Sequence, residues 1–516
     1  MKLIKILSDR IQIKTDALEF EDARINDLIR ISDGIVSLVT MIISMTDTEI
    51  EDKLEEFENI EFLKSTKVIE CAIIGSIKNG KFSKAVDIYP TVDIVAEPME
   101  DSEFSQMLVH DPKSSFSIGK YVNYNAAAFV DGNKFYQRHS CIVGNTGSGK
   151  SETVTKIMEE TAKLPGCNII TFDIHGEYSK LSYVDNIEIG NDIPFPIWMF
   201  GFSDMVTNIL KVREESATVA MSALRKMYRI ISKKGNEDKP VYFDFDRLLD
   251  AIEELNEQMV GTGEYYKTGD KAGMQKMIKG DYNGKLSNLV NTMKALRNNV
   301  KYSFLFSGEE DAYLYKFMSR IMGNHRPVKN IDLSGIPHDI AIQIIGVITK
   351  LVYGIQIGNK NRYPITMICD EAHVYIPNNF QLAPSERRMV EIFENIAKEG
   401  RKFGFTLFVA SQRPSELNKT IMAQCANFIV SKLNNENDKS MIKGMLPDGN
   451  ETIIDTTTMF SPGDVLVIGD AAPIPMKIHV ELAKERPQSR TIAFWDEWKK
   501  PFELDVENAI AEYMKN

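Results

Sequence analysis

One short segment constrains this chain more than any other, because it joins a glycine-rich turn to a lysine and a serine. Residues 144–151 read Gly-Asn-Thr-Gly-Ser-Gly-Lys-Ser and fit the pattern G-x-x-x-x-G-K-[ST] without departure. The apolar residues 141–143 precede this turn, and residues 152–164 follow it with a good helical pattern. The sequence therefore predicts a strand, a phosphate-binding turn and a helix, which together open a parallel sheet.

The chemistry of this turn follows from its residue types. Glycines let backbone N–H groups wrap a phosphate, and the helix N-terminus adds the positive end of its dipole. Lys150 is predicted to neutralise the β- and γ-phosphates, while Ser151 gives its hydroxyl to Mg²⁺. We therefore predict a site for ATP and Mg²⁺ whose binding residues are Gly144, Asn145, Thr146, Gly147, Ser148, Gly149, Lys150, Ser151 and Glu152.

Two further strands are predicted to end in polar residues with catalytic roles. Residues 365–369 are followed by Asp370 and Glu371. Beside a phosphate-binding turn, Asp370 can hold the magnesium and Glu371 can polarise the attacking water as general base, although an acidic strand end can also simply cap a helix. Gln412 follows the strand predicted at 405–410 and can sense the γ-phosphate, unless it only forms a polar turn.

A second pair of acids, Asp173 and Glu177, follows the strand predicted at 168–171. Carboxylates at this edge of a parallel sheet lie where ligands bind. They are predicted either to assist water activation or to cap a turn. The residues alone leave these two interpretations open.

Composition excludes several other classes of protein. The five cysteines are scattered without a Cys-x-x-Cys pair, and the seven histidines show no metal-ligand spacing, so neither a disulfide framework nor a zinc site is expected. A net charge of −12 argues against a general basic coat for nucleic acid but leaves a locally basic channel open. No apolar run long enough to span a membrane is evident, so we expect a cytoplasmic protein without a membrane partner.

The chain is too long for one hydrophobic core and is expected to divide. Short alternating stretches predict a β-rich domain at 1–110, and alternating strands and helices predict an α/β core at 111–201 and 323–485. Between them, residues 202–322 are dominated by helical patterns and are predicted to be an insertion. Residues 486–516 are predicted to form a C-terminal arm and helix.

Taken together, these motifs resemble the HerA branch of the HerA/FtsK ATPases. Besides the turn, the resemblance includes Asp-x-His-Gly-Glu-Tyr at 173–178, Asp-Leu-Ser-Gly-Ile-Pro at 332–337 and Asp-Glu-Ala-His at 370–373. It continues with Ala-Lys-Glu-Gly-Arg-Lys-Phe-Gly at 397–404, which leads into Ser-Gln-Arg-Pro. These motifs span most of residues 116–480.

The resemblance implies a RecA-like P-loop core preceded by an N-terminal β-barrel, assembled as a homo-hexameric ring that threads double-stranded DNA. It also implies a partner nuclease, in DNA end processing or anti-phage defence. Arg401 matches the family's candidate for an arginine that stabilises charge in a neighbouring site, and Arg138 matches a second basic position. For both, the alternative is a surface residue at the end of an element.

No motif of this family is recognised in the predicted insertion, so no DNA-contacting residues are carried over from the resemblance. The insertion holds a glycine-containing stretch whose basic residues either contact phosphates or form a solvated loop, namely Lys267, Lys271, Lys276, Lys279 and Lys285. Two functions remain open. The first is a hexameric DNA translocase or helicase that hydrolyses ATP and works with a nuclease. The second, motivated by the acidic charge, is an ATP-binding scaffold that organises and activates a defence effector enzyme.

Overall fold

The computed structural model begins with a β-rich region. Its elements are β1 (Lys2–Ile6), β2 (Arg10–Asp16), β3 (Leu28–Ser32), β4 (Ser37–Glu49), β5 (Ser65–Lys78), β6 (Lys81–Ser83), β7 (Val95–Pro98) and α1 (Asp101–Met107). Across the chain, the residues that the structure describes are 2–16, 22–49, 65–78, 80–91, 94–108, 111–212, 217–232, 239–307, 312–378, 382, 384–446, 452–489, 493–501 and 505–515.

The N-terminal strands form one antiparallel sheet in the order β1-β2-β5-β4-β3-β7, with β6 paired to β5. Within the described ranges no pairing joins β1 to β7, so the sheet is open and the predicted β-barrel is not confirmed. Apolar residues on both faces of this sheet are buried. Ile11 and Ile31 pack in a small core of their own, whereas Leu28 and Val39 pack into the main core of the protein.

The following part of the chain contains the phosphate-binding turn. Its elements are β8 (Ser115–Tyr121), β9 (Ala127–Asp131), α2 (Gly132–Gln137), β10 (His139–Val143), α3 (Lys150–Ala162), β11 (Ile169–Asp173) and β12 (Val184–Glu188). Every residue of β10 and β11 is buried, which is typical of central strands covered on both faces.

A largely helical insertion follows β12. Its elements are α4 (Gly201–Asp204), α5 (Thr218–Ser232), α6 (Phe245–Glu257), β13 (Met259–Tyr265), β14 (Gln275–Lys279), α7 (Ser287–Asn298) and α8 (Tyr313–Met322). The helical pattern predicted for this region agrees with α5, which buries Leu224 and Tyr228 on one face. The sequence pattern did not reveal the β13–β14 hairpin, because Gly261 and Gly263 interrupt its apolar alternation.

The chain then returns to the sheet and ends in two short helices. These elements are β15 (Val328–Asp332), α9 (His338–Gly358), β16 (Ile365–Cys369), α10 (Pro384–Glu399), β17 (Phe405–Ser411), α11 (Lys419–Gln424), β18 (Cys425–Val430), α12 (Glu436–Lys443), β19 (Asp464–Gly469), β20 (Met476–Val480), α13 (Phe494–Glu497) and α14 (Val506–Lys515). By length and composition α9 could cross a membrane, but more than half of its apolar window is buried within the protein.

The main sheet has eleven strands in the order β12-β15-β11-β16-β17-β10-β18-β19-β20-β8-β9. The run from β12 to β18 is parallel, and the remaining pairings are antiparallel. The predicted α/β class with a parallel-dominated sheet is therefore confirmed. Because the parallel strands point the same way, their carboxyl ends share one edge of the sheet and their amino ends share the other. We call these the carboxyl edge and the amino edge.

Candidate nucleotide-binding site

The glycine-rich turn lies at the carboxyl edge, between β10 and α3. Gly147 and Gly149 have φ angles of +74° and +95°, which L side chains rarely adopt. A Cβ on Gly144 would lie 2.6 Å from the Ser148 hydroxyl and 2.6 Å from the Ser431 Cβ. These positions therefore require glycine for both conformational and steric reasons.

Neighbouring strands hold the turn in place. The Gly144 N–H donates to the Ser411 carbonyl over 3.3 Å, and the Asn145 N–H donates to the Lys432 carbonyl over 3.0 Å. The Ser148 and Ser431 hydroxyls are buried and find no hydrogen-bond partner among the described residues. Buried hydroxyls are normally paired, so these two fit a site that receives phosphate oxygens.

Lys150 lies between the turn and the two acids after β16. Its Nζ is 2.6 Å from Glu371 Oε1 and 3.7 Å from Asp370 Oδ1, and all three side chains are at most 7% exposed. The structure therefore brings together the predicted lysine, metal ligand and general base. At this depth a lone charge would be costly, and the cation and the acids offset one another.

Glu371 has an unusual backbone and a perturbed carboxyl group. Its φ is +45°, a left-handed conformation that non-glycine residues adopt at a cost and that is common at functional sites. Burial acts to raise the pKa of Glu371, but the charge of Lys150 and hydrogen bonds from Lys150 and Gln412 lower it on balance. The carboxylate is therefore held in the ionised form that a general base needs.

Gln412 connects the glycine-rich turn to Glu371, the predicted general base. Its Nε2 donates to Glu371 Oε1, and its Oε1 accepts a hydrogen bond from the Thr146 hydroxyl. His373 lies on the other side of Glu371, with Nδ1 3.4 Å from Oε2 and 3.2 Å from the Ser411 hydroxyl. A shift of the turn would therefore reach Glu371 through Gln412.

Asp370 and Ser151 offer the hard oxygen ligands that Mg²⁺ prefers. Asp370 accepts a hydrogen bond from the Tyr178 hydroxyl over 3.0 Å and another from the Glu371 N–H over 3.0 Å, which fix its orientation. Among the described residues no set of three or more protein ligands could hold a metal ion. The donor set therefore fits a magnesium ion that is bound largely through nucleotide phosphates.

The acids of the 173–178 motif support this edge. Asp173 accepts the backbone N–H groups of Glu177 and Tyr178 over 3.1 and 3.0 Å, which shapes the loop after β11. Burial raises the pKa of Glu177, and a hydrogen bond from Ser151 opposes that shift. Asp173 is thus a loop-shaping residue in this structure.

The two predicted arginines lie at the opposite edge of the sheet. Arg138 directly precedes β10, and its Nη1 is 2.9 Å from Asp470 Oδ2 at an exposed position. Arg401 lies between α10 and the start of β17, is exposed, and has no ion pair with any residue that the structure describes. The structure therefore does not bring either arginine to the phosphate-binding turn of its own chain.

Sequence reasoning missed several residues at the site. Ser431 follows β18 and carried no signal beyond its place after a strand, and the Gly463 N–H donates to the Ser148 carbonyl from a distant part of the chain. Tyr178 belonged to a recognised motif, but its role in holding Asp370 was not predicted. Arg486 contacts Glu152 through Nε at 2.9 Å and Nη2 at 2.6 Å.

A glycine-rich turn that faces a lysine and two carboxylates at the carboxyl edge defines a P-loop nucleoside triphosphatase. Comparison with known proteins agrees with this class. Residues 116–352 match the family model described as "Helicase HerA, central domain". The DNA double-strand break repair helicase HerA of Saccharolobus solfataricus is 24% identical over 473 residues, which cover 89% of this chain and 85% of that protein.

A second relative, the protein of the same name from Sulfolobus acidocaldarius, is 24% identical over 92% of this chain and 91% of its own length. Among solved structures, VirB4 of Thermoanaerobacter pseudethanolicus superposes with a TM-score of 0.49 at 13% identity, over 73% of this chain and 98% of that one. By sequence the chain is similar to the HerA helicases over most of its length. Together with the match over 116–352, this similarity supports a HerA-like ATPase.

Proposed function

We propose that this chain is an ATP-driven motor that translocates along or unwinds double-stranded DNA as a homo-hexamer. One observation carries the proposal: a hydrogen-bonded series at the carboxyl edge runs from the exposed Thr146 through the half-buried Gln412 to the buried Glu371 and Lys150. Such a series couples a phosphate site to a general base. The choice of DNA is supported by the printed names of the relatives, which are DNA double-strand break repair helicases.

The first step concerns Lys150. A nucleoside triphosphate competes with Glu371 for the ammonium group of Lys150, because its phosphate oxygens together carry more negative charge than one carboxylate. Transfer of Lys150 to the phosphates releases Glu371 Oε1 to accept a proton from water. Magnesium held by Ser151 and Asp370 supplies charge neutralisation on the phosphates when bound.

The second step concerns Gln412, whose amide touches both Thr146 and Glu371. When the γ-phosphate leaves, the amide loses one of its polar neighbours and changes partner. This change carries the state of the nucleotide to β17 and its following loop, which is what a motor requires of a sensor residue.

The ring is supported by the place of the arginines. Positive charge is needed opposite the γ-phosphate in the transition state, and P-loop enzymes often obtain it from a second chain. Arg401 is exposed, unpaired within the described residues and remote from its own turn, so it is available to a neighbouring subunit. The resemblance noted above favours six subunits.

We further propose that the motor works with a nuclease in DNA end processing, or with an effector enzyme in anti-phage defence. The repair role named for the relatives supports the first pairing. The net charge of −12 supports the alternative of an ATP-binding scaffold that organises an effector. If a Glu371→Gln variant assembles and activates its partner fully, the scaffold is favoured; a loss of partner activity favours the motor.

The direct test measures ATP hydrolysis with and without duplex DNA, together with the mass of the assembly by light scattering. The proposal expects stimulation by duplex DNA and an oligomer of six. A monomeric protein whose turnover ignores DNA would contradict it. Lys150→Ala serves as the inactive control in the same assay.

A further inference from the structure

A short segment after β20 crosses the nucleotide site, and we call residues 484–488 the C-terminal strap. Its Lys484 N–H donates to Glu159 Oε2 on α3 over 2.6 Å. Its Gln488 N–H donates to the Glu177 carbonyl over 2.7 Å, in the loop after β11. Glu485 accepts the Ser182 N–H over 2.6 Å. The strap therefore ties the first helix of the site to the loop that carries Glu177.

Arg486 is the residue of the strap that lies nearest to the phosphate-binding turn. Both its Nε and its Nη2 contact Glu152 Oε1, at 2.9 and 2.6 Å. Glu152 immediately follows Ser151, in the first turn of α3, and its side chain is 19% exposed. The other carboxylate oxygen, Oε2, is buried and has no hydrogen-bond partner among the described residues.

The negative charge of Glu152 is unfavourable at this position in the nucleotide site. A carboxylate in the first turn of an ordinary helix interacts favourably with the helix dipole. The N-terminus of α3, however, is the part of the site that receives phosphate, and a second anion a few ångströms away repels it. The repulsion is reduced when a cation neutralises the carboxylate, and Arg486 is the cation that the structure places there.

We propose that Arg486 is a positioning residue for the nucleotide, and that the C-terminal strap is a functional part of the nucleotide site. Arg486 neutralises Glu152 and holds its carboxylate so that α3 accepts a triphosphate. The strap fixes Arg486 in place through its bonds to Glu159 and the Glu177 loop. This inference rests on the proposed assignment of the turn as the ATP site.

The test is equilibrium binding of a fluorescent ATP analogue, measured by anisotropy with and without Mg²⁺. Arg486→Ala is expected to weaken binding roughly threefold to tenfold, since the pair is partly exposed to solvent. Arg486→Lys keeps the charge and is expected to retain most of the affinity. The double variant Arg486→Ala with Glu152→Gln is expected to recover it, because a neutral amide needs no cation.

Controls separate this role from a general effect on folding. Arg297→Ala removes a comparable surface ion pair with Asp246 in the insertion and is expected to leave binding unchanged. Melting temperatures are recorded for every variant. The proposal is overturned if Arg486→Ala binds as wild type, or if the double variant binds as weakly as Arg486→Ala. Absence of DNA stimulation in the wild type would instead refute the motor and leave this result standing.

Discussion

The two edges of the parallel sheet differ in how much of a catalytic site each one contains. At the carboxyl edge, the buried Glu371 is bonded to the buried Lys150 and to the half-buried Gln412 within one chain. At the amino edge, Arg138 and Arg401 are exposed, and neither meets a phosphate-binding group. The seven residues of β17 separate Gln412 from the segment of Arg401 by about 20 Å.

The two edges differ in whether their charged groups are buried, and burial decides which of these groups need partners within the chain. Buried charges persist only with partners, so the charged groups of the carboxyl edge are paired within the single chain. Exposed arginines are hydrated and need no partner in the isolated chain. In the proposed function, the carboxyl edge binds the nucleotide and activates water, and the amino edge supplies positive charge to the site of a second subunit.

The largest effect is expected at Lys150. Lys150→Ala removes the cation shared by the turn and the acids, so ATP hydrolysis should fall by roughly 10³-fold. Turnover and nucleotide binding are measured together with a melting curve, because Glu371 also loses its buried partner. Lys163→Ala, at the far end of the same helix, is the matched control and should be near wild type. Hydrolysis within a few-fold of wild type in Lys150→Ala would remove the basis for the carboxyl-edge assignment.

The next largest effect on ATP hydrolysis is expected at Arg401. Arg401→Ala should lower hydrolysis by about 10³-fold in the assembled protein and leave nucleotide affinity of the isolated chain unchanged, because the arginine is remote from its own turn. Lys402→Ala, the exposed neighbour, controls for a general change in charge. Weakened nucleotide binding by isolated Arg401→Ala subunits would show that Arg401 acts in the nucleotide site of its own chain. The proposed difference between the two edges would then be wrong.

The Glu371→Gln variant tests whether Glu371 is the general base at the carboxyl edge. It should reduce turnover by roughly 10²-fold while retaining or improving nucleotide affinity, because Lys150 is no longer held by a carboxylate. Single-turnover hydrolysis beside titration calorimetry distinguishes the two quantities. Glu416→Gln, a nearby exposed acid paired with Arg413, should change neither. Normal turnover by the Glu371→Gln variant would show that another residue acts as the general base.

The smallest effect concerns His139, which opens β10 at the amino edge. Burial lowers the pKa of His139 to about 4, and the charge of Arg401 acts in the same direction. Its Nδ1 accepts the Leu407 N–H over 2.9 Å, which requires the neutral ring. Because the pKa in the folded state is below the unfolded value, this stability is full above pH 6.5 and is lost as pH falls toward 4.

Urea denaturation at several pH values checks this expectation. The free energy of unfolding of the wild type should decline more between pH 6.5 and 4 than that of His139→Gln, which cannot titrate. Parallel curves for the two proteins would show that His139 does not carry a buried, neutral ring.

The carboxyl edge was largely predictable from sequence, since its residues follow strands at fixed places. The turn at 144–151 and the acids after β16 follow buried strands, and parallel topology then requires them to meet. Gln412 was found for the same reason. Ser431, Gly463 and Arg486 were not predictable, because they reach the site from distant segments through tertiary packing.

The fold was also predictable from the sequence only in part. Continuous apolar runs such as β16 and β17 identified the parallel strands, and their order then followed α/β rules. The open N-terminal sheet differed from the expected barrel, because alternation alone does not say which protein surface covers the outer face. The β13–β14 hairpin was hidden because its glycines and lysines are also typical of loops.

If each nucleotide site takes its arginine from a second subunit, two inactive variants should complement each other when they are mixed. Lys150→Ala lacks the phosphate-binding lysine, and Arg401→Ala lacks the arginine, so each alone is expected to be inactive. When the two are co-assembled, some interfaces pair an intact turn with an intact Arg401, and part of the ATPase activity should return. If mixed assemblies stay as inactive as their parents, while mixing with wild type shows that subunits exchange, the account is contradicted.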